Sequence, residues 1–172
     1  MAPSRVTLAE LNALDRDAFT QALAGIFEGP AWIPPAAWDA RPFSSVEGLH
    51  RALCAVMCGA PEERQVALIR DHPDLVGRAA LAGTLGAAST GEQAAAGLDH
   101  LTADEVAAFT RLNAEYRERF GFPFVICARE NKKDAILAGF EARLGNARER
   151  EIATALDEIG KIGWLRLVEA VR

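Results

Sequence analysis

The side chains best suited to proton transfer lie in two short runs, His72-Pro73-Asp74-Leu75 and, twenty positions after the histidine, Ser89-Thr90-Gly91-Glu92-Gln93. Proline disfavours the helical conformation for the residue before it. His72 is therefore expected at a helix end or in a turn, where an imidazole can face a pocket. Of all side chains, imidazole has the unperturbed pKa nearest neutrality, which suits it to general acid or base work. Glu92 has a bland explanation beside the chemical one. Ser89-x-x-Glu92 has the form of a capping box, and Thr90-x-x-Gln93 is a second, overlapping one. With Thr90 as the cap, Gln93 reaches back and Glu92 stays in the first helical turn, where the helix dipole favours the carboxylate. A carboxylate there, if it neighbours His72, favours the imidazolium, giving a proton donor held beside an orienting charge.

Few other residues invite chemistry. The chain has three histidines; His50 lies mid-helix and His100 precedes a cap, so both read as structural or exposed. Arg166, between Leu165 and Leu167, has two open readings. One is an arginine on the outer face of an amphipathic helix. The other is a fixed guanidinium that binds an anionic or carbonyl-rich ligand through paired hydrogen bonds. Lys161 reads as surface. Arg143, Arg148 and Arg150 are interleaved with Glu141, Glu149 and Glu151, the pattern of a solvated helix face carrying ion pairs. Cys54, Cys58 and Cys127 show no zinc spacing, and an odd cysteine count fits a reducing compartment with thiols as small core residues. The sequence holds no metal motif, glycine-rich phosphate loop, nucleophile elbow or coenzyme signature.

The elements that must position these groups are helical nearly throughout. Thr7-Leu8-Ala9-Glu10 is a capping box that opens a short helix. Asp15 caps the next, which carries Phe19, Leu23, Ile26 and Phe27 at helical spacing up to Gly29-Pro30. Trp32, Ile33, Pro34, Pro35 and Trp38 form a short helix or turn. Ser44-Ser45 start a helix that Gly59-Ala60-Pro61 ends, and another runs from Pro61 to about Asp71. Residues 74–88, rich in alanine and glycine, read as a low-bulk helical or looping stretch that allows close backbone approach. Thr102-Ala103-Asp104-Glu105 is a further capping box, followed by the stripe Val106, Phe109, Leu112, Asn113 and Tyr116. Gly121–Cys127 is the one strand-like run. Pro123 in its middle excludes a central strand, so it reads as an extended segment buried among helices. Its backbone groups then need partners, of which a ligand is one option. Helices over about 134–144, 147–159 and 164–171 complete the chain, with Gly145 at the C′ position of the first. The fold class is all-α: a single-domain multihelical bundle over residues 1–172 with one buried extended segment near 121–128.

Composition narrows the function classes. At 172 residues the chain can bury a core without metals or disulfides. It is 50% hydrophobic and 25% charged, a globular balance. A formal net charge of −5 leaves no basic excess for a nucleic-acid partner. No run approaches the roughly 20 apolar residues of a membrane span. Neither terminus carries a secretory or peroxisomal signal, so a cytoplasmic location is expected.

Read in order, His72-Pro73-Asp74-Leu75, Ser89-Thr90-x-Glu92-Gln93-x-x-Ala96-Gly97-Leu98, Leu112-Asn113-x-x-Tyr116-x-x-Arg119-Phe120-Gly121-Phe122-Pro123-Phe124 and Glu158-Ile159-x-Lys161-Ile162-x-x-Leu165-Arg166-Leu167 resemble the 2-oxo-4-hydroxy-4-carboxy-5-ureidoimidazoline (OHCU) decarboxylases of purine breakdown. The likeness covers nearly the whole chain, more loosely in the first forty residues. It implies an all-helical enzyme that needs no cofactor or metal. Its substrate is a small ureide, and the resemblance implies a homodimer. By motif, His72 is the catalytic histidine and Glu92 its acidic partner. Pro73, Ser89, Thr90, Gly91, Gln93 and Arg166 line the substrate site. The main chain of Phe124, Val125, Ile126, Cys127 and Ala128 hydrogen-bonds the planar ureide. The rival reading is a non-catalytic helical module, a small-ligand sensor or interaction domain, in which His72 and Glu92 need not converge.

Overall fold

Helix starts follow local chemistry closely. Thr7 closes a full capping box with Glu10 and opens α1 (Leu8–Ala13), and the Asp15 carboxylate accepts the Ala18 N–H at the start of α2 (Arg16–Ala22). Two prolines early in α3 (Ile33–Ala37) remove N–H groups that a helix leaves unbonded at this end. Ser45 caps α4 (Val46–Gly59), and α5 (Glu62–Arg70) begins after Pro61. The remaining helices among the described residues are α6 (Ala87–Ala95), α7 (Ala103–Phe120, opened by the Thr102–Glu105 capping box), α8 (Lys133–Leu144) and α9 (Arg148–Ala170). Short 3-10 turns lie at Trp38–Ala40 and Ala128–Glu130. The computed structural model describes residues 5–77, 83 and 86–172; much of the low-bulk stretch expected over 74–88 lies outside the described residues. Among those described, the only β pairing is one bridge between Val6 and Val171.

The chain divides into two compact units, one made of residues up to Gln65 with Ile159–Arg172, the other of Val66–Glu158. In the first, Leu11, Phe19, Leu23, Ile33, Leu49, Leu53 and Leu167 are buried, and Phe19 stacks on Phe43 at 6.2 Å. His50 is structural, as expected: its Nε2 lies 2.8 Å from the Gly160 carbonyl and its ring meets the edge of Trp164. In the second unit Tyr116 centres an aromatic cluster with Phe120, Phe122, Phe124 and Phe140. His100 is exposed beside Asp99.

Four expectations need correction. Helix α2 stops at Ala22; Leu23, Ile26 and Phe27 continue through turns, yet all three stay buried. Gly145 sits at the C-cap in the right-handed region and not in a left-handed C′ position. The two helices expected over 147–159 and 164–171 are the single helix α9. Of its interior glycines, Gly163 is kept by close packing, since a Cβ there would lie 3.0 Å from the Phe27 ring, whereas one at Gly160 would make an ordinary 3.5 Å contact with Cys54 Sγ. Finally, α6 starts at Ala87 with Gly86 as its cap and no side-chain capping bond. Alanine's high helix propensity lets the helix begin one turn earlier than either Ser89 or Thr90 could cap it. Thr90 Oγ1 instead donates back to the Gly86 carbonyl at 3.0 Å. Glu92 therefore lies in the second turn, beyond the reach of the dipole argument.

Candidate functional site

His72 follows the end of α5, and its backbone N–H still bonds the Ile69 carbonyl at 3.2 Å. Its ring is buried, and Nδ1 lies 3.0 Å from the Leu68 carbonyl oxygen. A carbonyl only accepts, so Nδ1 carries the proton in either ionisation state. Proton exchange is thereby confined to Nε2, the tautomer control that a working histidine needs.

Beyond Pro73, residues 74–77 form a tight turn. The Gly77 N–H bonds the Asp74 carbonyl at 3.3 Å, and a Cβ at Gly77 would stand 2.6 Å from the Asp74 Cβ, so glycine is required there. Val76 has φ +52°, the one positive φ among the described non-glycine residues. It occupies the third position of a type II pattern, where glycine is usual. A β-branched residue there is strained by about 1–3 kcal/mol. Two side chains grip the central peptide of this turn from opposite sides. Asn113 Nδ2 donates to the Leu75 carbonyl at 2.8 Å, and the Val76 N–H donates to Gln93 Oε1 at 3.0 Å. Each bond contributes about 0.5–1.5 kcal/mol net, so the pair together matches the strain. Arg117 Nε holds the Asp74 carboxylate at 2.9 Å, and Gln93 Nε2 makes a long 3.4 Å contact to the Asp74 carbonyl. Asn113 Oδ1 is buried with no hydrogen-bond partner among the described residues.

Helix α6 turns Ser89 and Gln93 inward, leaves Glu92 half-buried and exposes Thr90 and Gly91. It packs on the 3-10 turn at Ala128–Glu130, and Lys132 Nζ caps the Ala95 carbonyl at 2.6 Å. That turn ends the extended segment, which is buried as expected from Phe122 to Ala128 except at Ile126, which is half-buried. Gly121, left-handed at φ +79°, ends α7 and releases the segment.

Most of the segment's backbone partners are side chains. Arg143 donates to the Val125 carbonyl at 2.8 Å, Glu158 accepts the Cys127 N–H at 2.8 Å, and Asn131 donates to the Cys127 carbonyl at 3.0 Å. No described residue bonds the Ile126 N–H or C=O. Burial pushes the Cys127 thiol above its usual range, and the charges of Glu130, Glu158 and Glu92 add to this. Glu92 thus lies within electrostatic reach of the segment. The second unit therefore gathers the His72-Pro73 turn, the Ser89–Gln93 face and residues 124–128 through shared contacts.

Arg166 belongs to the first unit. It is buried and paired with Glu28 at 2.9 Å, which removes the reading of an arginine on an outer helix face. The basic cluster also differs from expectation. Glu151 is fully buried, not solvated: Arg143 Nε meets it at 2.9 Å, Asn146 Nδ2 at 2.8 Å, and the Tyr116 hydroxyl donates to it. Arg143 also lies over the Phe124 ring, 4.2 Å from its centroid. Sequence reasoning gave no functional role to Asn113, Val76, Gly77 or Arg117, and it placed Arg143 and Glu151 on a solvated face. One signal was available: an asparagine within the apolar stripe of α7 demands a buried partner.

The sequence matches the family model described as OHCU decarboxylase over residues 12–168. A 2-oxo-4-hydroxy-4-carboxy-5-ureidoimidazoline decarboxylase of Haloferax volcanii is 43% identical over 164 residues, covering 95% of each chain. One of Amia calva is 39% identical over 165 residues, covering 96% of this chain and 94% of its own. Among solved structures, an (S)-allantoin synthase superposes with a TM-score of 0.77 at 26% identity, over 96% of this chain and 54% of its own.

Proposed function

Because the chain belongs to the OHCU decarboxylase family, we propose that it removes carbon dioxide from OHCU to give (S)-allantoin, with no resident cofactor. The single observation that carries the chemistry is the buried His72 ring, whose Nδ1 proton is committed to the Leu68 carbonyl. His72 Nε2 manages the proton of the substrate hydroxyl, with Glu92 as its acidic partner. The C–CO₂ bond then breaks, and its electron pair passes into the conjugated imidazoline, which acts as its own electron sink. Proton delivery to one face of the resulting carbanion-like species gives the S product. Ser89, Gln93 and the backbone of 124–128 bind the planar ureide. Thr90 and Gly91 complete that stretch of the site, Pro73 borders it, and Arg166 supplies a cation for oxygen-rich parts of the substrate.

What supports this reading is the match across nearly the whole chain, and the presence in one unit of the histidine turn, the Glu92 helix and the extended segment. No described helix is long and apolar enough to cross a membrane. The same reading carries a homodimer and a cytoplasmic location. Circular dichroism of freshly generated OHCU, with and without the protein, tests the reaction. Rapid growth of the (S)-allantoin signal is expected. Decay at the spontaneous rate to racemic product would instead favour the ligand-binding module.

A further inference from the structure

We infer that Asn113 is a positioning residue for His72: with Gln93 it latches the Leu75–Val76 peptide in the strained orientation that sets the histidine turn. The Leu75 C=O and the Val76 N–H belong to one peptide plane and project from its opposite edges. Asn113 takes the carbonyl at 2.8 Å and Gln93 takes the N–H at 3.0 Å. Rotating this peptide by about half a turn converts a type II turn to type I and returns the third residue to negative φ. Valine at +52° favours that rotation. Both side-chain bonds oppose it, because neither survives the flip.

The consequence reaches the histidine through a short, stiff path. Pro73 fixes one backbone torsion between His72 and Asp74, and Arg117 anchors the Asp74 carboxylate. With one end of the ring's backbone held by α5 and the other by this turn, the peptide's orientation becomes part of the ring's position. Asn113 is retained for one atom only. Its Nδ2 makes the bond, while Oδ1 is buried without a partner among the described residues. An asparagine kept for packing alone would be replaced without loss by an apolar side chain of its size.

The proposal rests on the decarboxylase reading for its kinetic readout but not for its spectroscopic one. Four proteins are compared: wild type, Asn113→Ala, Val76→Gly and the double variant. Glycine at 76 favours the type II peptide unaided, so the latch becomes dispensable. Asn113→Ala is expected to lower kcat by about tenfold to a hundredfold through misplacement of His72, with KM little changed. Adding Val76→Gly is expected to restore most of that loss. In imidazole NMR, where three histidines give few signals, Asn113→Ala should move the His72 resonances alone, and the double variant should return them.

A double variant no more active than Asn113→Ala overturns the latch, as does a loss that falls on KM with kcat intact. Unmoved His72 resonances in folded Asn113→Ala also overturn it. If Asn113→Ala does not fold, Asn113→Leu, which keeps the volume and loses the donor, is read by the same criteria. If wild type leaves OHCU untouched, the decarboxylase reading fails, and the NMR comparison still decides the latch.

Discussion

Helix α7 carries two buried polar residues one turn apart, Asn113 and Tyr116, and their surroundings differ in kind. Tyr116 joins a closed network in which the Glu151 carboxylate is bonded by a phenol, a guanidinium and an amide, with Glu151 itself fully buried. Asn113 joins an open one: it grips a strained turn, and its own carbonyl oxygen has no partner among the described residues. Satisfied buried networks rigidify a fold, whereas strain held by its surroundings collects where geometry serves chemistry. The comparison separates a region built for stability from one built for position, on the same helix.

The largest expected effect tests the open region at its output. His72→Ala should lower kcat by about 10²–10⁴-fold while the circular dichroism spectrum of the fold persists. Wild-type turnover in this variant would remove the histidine from the mechanism and, with it, the reason for a held turn. The closed network should answer differently. Glu151→Ala leaves Arg143 half-committed and is expected to cost about 3–5 kcal/mol in urea unfolding, with turnover per folded molecule within a few-fold of wild type. Were the losses in stability and activity reversed between Glu151→Ala and Asn113→Ala, the distinction would collapse.

A gentler probe uses the single tyrosine of the chain. Burial, reinforced by the bond to the Glu151 carboxylate, pushes the Tyr116 phenol well above its usual value near 10. Because the folded value lies above the unfolded one, the stability contributed by the neutral phenol is whole below pH 10. It is lost as pH rises beyond that toward the folded value. Tyrosinate absorbance at 295 nm should therefore stay low in the folded protein at pH 10.5 and appear together with unfolding. A normal titration with the fold intact would show the network to be open.

The sequence conveyed the closed and open regions unequally. Local signals succeeded: Thr7, Asp15, Ser45 and Thr102 cap helices where their spacing said they would. Pro123 correctly argued for an extended, buried run in place of a strand, and the helical spacing of apolar residues between caps carried the all-helical class. What failed was tertiary. The Ser89–Gln93 capping pattern lost to an earlier start at Ala87, because a helix begins where backbone propensity allows and not where a cap is merely available. Glu151 looked solvated among alternating charges because its burial against Tyr116 depends on a helix distant in sequence. His72 at a helix end was legible from Pro73. The Val76 strain and the grip of Asn113 were not, since valine carries no sign of positive φ and an asparagine names no partner.

The two glycines inside α9 also give the protein unequal room to improve. Alanine is favoured over glycine within a helix by about 0.8–1.0 kcal/mol. At position 160 an added methyl would find the Cys54 sulfur at 3.5 Å, an ordinary contact, whereas at 163 it would meet the Phe27 ring at 3.0 Å. Gly160→Ala should therefore raise the melting temperature by a few degrees and Gly163→Ala should lower it. One side of this helix is thus a place where an engineer can harden the enzyme with a single carbon, and three residues further on the same carbon is refused.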